Sequence, residues 1–181
     1  MINYGIAILL LPLMAFVVQI FVGKRLPRNG DWVSVGAVAL TLCLSLAMFG
    51  VILVKYDPGF SVDKTWTWFD LGSLKVQIGI LIDNVTVVML LVVSLISTLV
   101  HVYSTAYMEG DLRYSRYFAF LSLFTFSMNG IVLANSLLGI YIFWELVGLS
   151  SYLLIGHWFE KDSASDAAKK AFFVNRVGDI G

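Results

Sequence analysis

A single glutamate interrupts an otherwise apolar stretch in LLGIYIFWELVGLSSYLLIG, residues 137–156. A charged side chain at the centre of a hydrocarbon layer costs about 2.5–3.5 kcal/mol on insertion scales, so it persists where it faces protein or water. Glu145 lies eight residues into this stretch, or about 12 Å from one end at 1.5 Å rise per residue. A carboxyl group at that depth, its proton affinity set by burial and by any neighbouring cation, is what a proton relay requires. The alternative is a Glu that is permanently paired or protonated and only locks two helices together.

Other residues on this helix and the next could serve the same chemistry. Tyr141 and Tyr152 stand one turn before and two turns after Glu145, each able to hold a water or a hydrogen bond, or simply to pack as an aromatic. Gly148 and Ser151 are small and would let a neighbouring backbone come close. Trp144 reads as packing. In VNRVGD, Arg176 and Asp179 fall at i,i+3, where each can compensate the other's charge. They form either a functional pair or a structural ion pair near the inner interface. His101 and His157 are the two histidines of the chain and candidate proton carriers, with hydrogen-bonded interface residues as the plainer reading. Lys169 and Lys170 read as snorkelling side chains, with Lys170 also a candidate relay; Asp83 reads as a helix cap.

These residues are positioned by apolar elements. Of 181 residues 59% are hydrophobic and 13% charged, with mean hydropathy +0.87, whereas soluble domains run nearer half apolar and a quarter charged. Twelve basic residues balance twelve acidic ones, which excludes the electrostatic footprint of a nucleic-acid binder. One cysteine, Cys43, and two histidines cannot build an internal disulfide, a zinc site or an iron–sulfur site. The sequence contains no GxxxxGK[ST] or GxGxxG loop. No cofactor and no metal is therefore expected in this chain.

A bilayer core about 30 Å thick needs about 20 apolar residues. Five runs qualify: 2–22, 33–54, 84–103, 117–134 and 137–156. The basic GKRLPRNGD follows the first run rather than preceding it, so that run is an uncleaved span and not a signal peptide. Between the second and third lies KYDPGFSVDKTWTWFDLGSLKVQ, with turn residues Pro58, Gly59 and Gly72, interfacial Trp66, Trp68 and Phe69, and a KVQIGI alternation that allows a short hairpin. Only Asn135 and Ser136 separate the fourth and fifth runs, which must form an antiparallel pair. After His157 the chain is amphipathic: Ser163 or Ser165 can cap a sixth helix, Asp166 can pair with Lys170, and the residues turn apolar from Ala171. From Ala171 to Gly181 that helix rises only about 16 Å, about half a span, so a longer polytopic protein is expected.

Eight Lys and Arg fall in the first, third and fifth loops and three in the second, which places the N-terminus outside. The expected fold class is thus an all-α polytopic membrane protein with five complete spans and the start of a sixth. It forms a single membrane domain over 1–181: 1–116 holds three helices and an outer loop at about 55–78, and 117–181 begins a helix bundle.

The stretch WELVGLSSYLLIGHWFEKDSASDAAKKAFFVNRVGDIG resembles the antiporter-like membrane subunits of respiratory complex I, and the likeness extends through the WTW loop, IDNVTVVML and YSRYFAF. The resemblance implies a subunit with inverted helix bundles and broken helices that moves protons across the membrane. NADH oxidation and quinone reduction then occur elsewhere in the complex, with NADH, FMN, iron–sulfur clusters and quinone held by other subunits. It implies partners in the other membrane subunits, above all a neighbouring antiporter-like one. An N-terminal Met with no transit-like Arg/Ser-rich leader points to a bacterial inner membrane ahead of a mitochondrial one. It makes Glu145 the relay carboxylate, faced in the family by a lysine on a later helix, with Arg176 and Asp179 as its charged neighbours. The family's essential lysines would lie beyond Gly181, so this stretch alone is not expected to conduct. Leu146 departs from the glycine many relatives carry, and Asn135 from a frequent acid. The alternatives are an Mrp-type sodium/proton antiporter subunit and a non-conducting membrane anchor.

Overall fold

The computed structural model describes residues 1–70 and 75–180. Six helices and one hairpin follow in chain order: α1 Ile2–Val22, α2 Asp31–Val54, β1 Ser61–Asp70, β2 Lys75–Asp83, α3 Asn84–Tyr107, α4 Tyr114–Leu133, α5 Leu137–Ile155 and α6 Asp162–Ile180. The first five helices are long and apolar enough to cross a membrane. The chain is an integral membrane protein built on them.

Helix starts are set by local chemistry. The Asp83 carboxylate accepts from the Thr86 amide at 2.7 Å, as a cap should, and that bond holds its pKa below the usual carboxylate range. Ser136 caps α5 by accepting from the Gly139 amide at 3.1 Å. Between α1 and α2 the chain turns through left-handed Arg28, Asn29 and Gly30, with φ of 54°, 55° and 76°. Gln19 steadies that turn by donating to the Asn29 carbonyl at 3.0 Å, and Asp31 accepts from Arg28 at 3.1 Å and from the Tyr114 hydroxyl of α4 at 3.0 Å.

Helix α4 is the centre of the bundle, packed against α1, α3 and α5. Its face is unusually polar for a buried helix, and two of its hydroxyls are satisfied by their own helix: Thr125 donates to the Leu121 carbonyl at 3.1 Å and Ser127 to the Leu123 carbonyl at 2.7 Å, while Ser115 donates to the Gln19 carbonyl of α1 at 3.1 Å. Asn129 donates across to the Ile8 carbonyl at 3.3 Å. Gly130 lets α5 approach, since a Cβ there would overlap the Phe143 ring. An apolar core of Ile8, Met48, Ile82, Val87, Leu90 and Leu133 joins α1, α2, α3 and α4 beneath the hairpin.

Some expected boundaries shift. Helix α2 begins at Asp31, two residues before the apolar run; α3 extends to Tyr107 and α4 begins at Tyr114, because helix continues through interfacial residues such as the stacked Tyr103 and Tyr107, 5.7 Å apart. The outer loop is a substantial antiparallel hairpin, with Ser61 opposite Asp83, rather than a short one at KVQIGI. Among the described residues it is the one departure from an all-helical chain, and Gly72 lies outside them. Helix α6 begins at Asp162, so Ser163 and Ser165 sit within its first turn instead of capping it. Asp166 pairs with Lys169 at 3.3 Å, not with Lys170.

The loops that the charge count assigns to one side do meet. At the outer end Ile80 bridges Ala134, and Asn135 donates through its side chain to Asp63 at 2.7 Å and to Thr65 at 2.9 Å. An acid in place of Asn135 would face the Asp63 carboxylate, so the amide suits this hairpin. At the inner end the α3–α4 and α5–α6 loops interlock. Trp158 donates to Asp111 at 2.9 Å, His157 lies 3.4 Å from Asp111, and Arg113 pairs with Glu160 and stacks over Phe159 at 4.5 Å.

Candidate functional site: a charged triad between two helices

Glu145 is the ninth residue of the nineteen in α5, close to the middle of that span. Helix α6 returns antiparallel against α5, and fourteen residues on from its start it brings Arg176 to the same depth. The Arg176 guanidinium pairs through Nη1 with the Glu145 carboxylate, and its Nη2 donates to the Glu145 carbonyl at 3.4 Å. Asp179, one turn further along α6, lies 3.7 Å from the same guanidinium. All three are largely enclosed, with side-chain exposures of 23% for Glu145, 29% for Arg176 and 12% for Asp179.

Neighbours hold this triad in shape. The Trp144 indole donates to the Asp179 carboxylate at 2.9 Å, so a residue that reads as packing in the sequence orients an acid. Gly148 leaves room for the guanidinium, since a Cβ there would stand 3.4 Å from Arg176 Nη2. The Phe172 ring lies under Arg176 at 4.9 Å and against the Tyr152 ring at 5.5 Å. Two polar atoms of the triad, Glu145 Oε1 and Arg176 Nε, are buried without a hydrogen-bond partner. The arrangement therefore has an unfilled acceptor and an unfilled donor at mid-span, one carboxylate in contact with the cation and a second within reach of it.

The remaining sequence candidates do not join this cluster. Tyr141 is exposed, and among the described residues its hydroxyl makes no hydrogen bond. His101 is fully buried between α3 and α4, with Nδ1 2.8 Å from the Ser97 carbonyl and Nε2 3.5 Å from the Ser122 hydroxyl. His157 belongs to the inner loop clasp, and Lys170 is exposed. The Trp144–Asp179 bond is what sequence reasoning missed. Its signal was only that residues 144 and 145 point to adjacent faces, which matters once the partner helix is known to lie between them.

Residues 68–118 match the family described as NADH-ubiquinone oxidoreductase (complex I), chain 5 N-terminus, and residues 134–181, which contain the whole triad, match the NADH:quinone oxidoreductase/Mrp antiporter transmembrane family. The chain belongs to the complex I chain 5 family of antiporter-like membrane subunits. Similar proteins include the F(420)H(2) dehydrogenase subunit L of Methanosarcina mazei, 42% identical with 98% of this chain and 26% of that one covered. The NAD(P)H-quinone oxidoreductase subunit 5, chloroplastic, of Physcomitrium patens is 41% identical, covering 95% of this chain and 25% of that protein. The NADH-ubiquinone oxidoreductase chain 5 of Metridium senile is 40% identical, with 97% and 29% covered. The chain thus spans about a quarter of the length of the curated relatives it matches. A solved structure of the membrane-bound sulfane sulfur reductase, an archaeal respiratory membrane complex, superposes with TM-score 0.76 over 97% of this chain and 34% of that one at 15% identity, a likeness of fold.

Proposed function

We propose that this chain forms part of the proton-translocating, antiporter-like subunit of an NADH-quinone oxidoreductase, with Glu145 as a relay carboxylate and Arg176 as its switchable counter-ion. The observation that carries the reading is one guanidinium placed between two carboxylates at mid-span. With both acids ionised the triad holds one net negative charge in a medium of low dielectric, and a single proton neutralises it. Glu145 Oε1, buried and unpartnered, is where that proton goes. A protonated Glu145 no longer attracts the Arg176 guanidinium, and the cation swings to Asp179. Loss of the proton draws it back. A two-position cation of this kind converts the arrival of a proton into a movement of positive charge between α5 and α6.

Moving one charge through 100 mV takes about 2.3 kcal/mol, so the cycle must be driven from outside the triad. The relatives named above as quinone oxidoreductases suggest the driving reaction: NADH oxidation and quinone reduction, with NADH, FMN, iron–sulfur clusters and quinone in other subunits. Its partners are then the other membrane subunits, including a neighbouring antiporter-like one, in an energy-coupling membrane such as the bacterial inner membrane. Fractionation of the source cells tests that placement.

The deciding experiment is Glu145→Gln in the complete complex. Assembly and electron transfer should persist while proton pumping into proteoliposomes falls; undiminished pumping would overturn the relay. The matched family also takes in Mrp antiporters, so the same vesicles should be tested with a sodium gradient. Full pumping by Glu145→Leu would instead mark the residue as a helix anchor.

A further inference from the structure

A second polar site lies at the inner end of the bundle, away from the triad. Arg116 sits in the first turn of α4 with its guanidinium over the rings of Phe120 at 5.4 Å and Phe159 at 5.6 Å. Among the described residues no carboxylate forms an ion pair with it, and its Nε is buried without a hydrogen bond. Three acids near it are held by other groups, Asp111 by Trp158 and His157, Glu160 by Arg113 and Asp166 by Lys169, and Glu160 acts on Arg116 only through its field. Arg116 opens instead onto a cavity of about 180 Å³ between α4, α5 and α6, shared with Tyr152, Gly156 and Ser165. The hydroxyls of Tyr152 and Ser165 also make no hydrogen bond among the described residues. One cation and two hydroxyl donors thus converge on a space of this size with nothing to bind.

The cavity has an apolar continuation. Tyr152 also lines a neighbouring groove of about 290 Å³ between α5 and α6, walled by Leu149, Phe172 and Phe173, with Lys169 at its rim. Arg116 in the first turn of α4, Gly156 just past the end of α5 and Ser165 in the first turn of α6 all stand at one end of their spans, the end rich in basic loops. A polar, cationic pocket at headgroup level leading into an apolar groove between spanning helices has the chemistry of a phospholipid, with an anionic head and an acyl chain. We propose that the α4–α5–α6 cleft binds one anionic phospholipid of the inner leaflet, its phosphate held by Arg116, Tyr152 and Ser165 and a chain laid along Leu149, Phe172 and Phe173. This proposal stands whether or not Glu145 relays protons.

The test uses the assembled complex carrying the full-length subunit, reconstituted with nitroxide-labelled phosphatidylglycerol or, separately, labelled phosphatidylcholine. Arg116→Gln should remove about one motionally restricted phosphatidylglycerol per complex, or weaken its retention about five-fold, the size expected for one basic residue at a membrane surface. Arg116→Lys should largely restore it, and phosphatidylcholine should not change. Ser165→Asp supplies the pocket with its own anion beside an intact Arg116, and it should evict the lipid from a complex that still assembles. Unaltered phosphatidylglycerol in both variants, equal losses of the two lipids, or displacement of the label by inorganic phosphate would each overturn the proposal.

Discussion

Arg176 grips Glu145 at two points, pairing with its carboxylate and donating to its backbone carbonyl at 3.4 Å. The second contact ties the guanidinium to the α5 backbone. The cation can therefore leave the carboxylate without α5 and α6 parting, since Asp179 is only 3.7 Å away on its own helix.

That geometry predicts an asymmetry between the partners. Glu145→Gln leaves Arg176 balanced by Asp179, so the complex should assemble nearly as the wild type does. Arg176→Gln leaves two enclosed carboxylates with no cation, and breaking an enclosed pair in this way costs about 3–5 kcal/mol. The expected outcome is a clear loss of assembled complex for Arg176→Gln alone, restored in part by adding Asp179→Asn. Native gels of detergent extracts give the comparison, and equal yields for the two single variants would contradict it.

Trp144→Phe keeps the aromatic volume and removes one hydrogen bond to Asp179, worth about 1 kcal/mol. With Asp179 freed, Arg176 should spend more of its time there, and pumping should fall several-fold while electron transfer continues. A packing role alone would leave the ratio of protons to electrons unchanged.

Gly148 provides the space in which Arg176 lies. Gly148→Ala places a methyl at van der Waals contact with Nη2 and should be tolerated, whereas Gly148→Val should displace the guanidinium and reproduce the pumping loss of Arg176→Gln. Coupled pumping at the wild-type level in the valine variant would argue against this placement.

The inner clasp should respond to acid. Burial holds His157 below its ordinary 6.5, against an upward pull from Asp111. Burial pushes Asp111 up, but bonds from the Arg113 amide, Trp158 and His157 outweigh it and its carboxyl group ends below the usual range. Both groups bind protons more readily when the clasp is open, so its stability is complete above about pH 6.5 and declines as pH falls, first through His157 and at lower pH through Asp111. Protection of the amides of residues 108–113 and 156–161 against hydrogen exchange, taken relative to the intrinsic rate at each pH, should fall below that pH. In His157→Gln the first step of that fall should vanish.

Loss of the Asp83 cap offers a control remote from the triad. Asp83→Ala should destabilise the start of α3 by about 1 kcal/mol and leave coupling intact. A change in proton-to-electron ratio would mean that the outer hairpin communicates with mid-span.

Sequence alone determined the spans, their order and the depth of Glu145, because transfer of apolar side chains into hydrocarbon is a local property that adds residue by residue along the chain. It also determined the Asp83 cap, which needs only a partner three residues away. It placed Arg176 and Asp179 on one helical face, within reach of one another. That Arg176 also crosses to Glu145, that Trp144 donates to Asp179, and that His101 stays between α3 and α4 were decided by how α6 packs on α5 and α4 on α3. The hairpin's full extent was decided the same way, through Asn135 reaching Asp63 across 72 residues. Such contacts depend on the rotation of one helix about its axis against another. Side-chain packing fixes that angle jointly for both helices, and no single run of residues contains it.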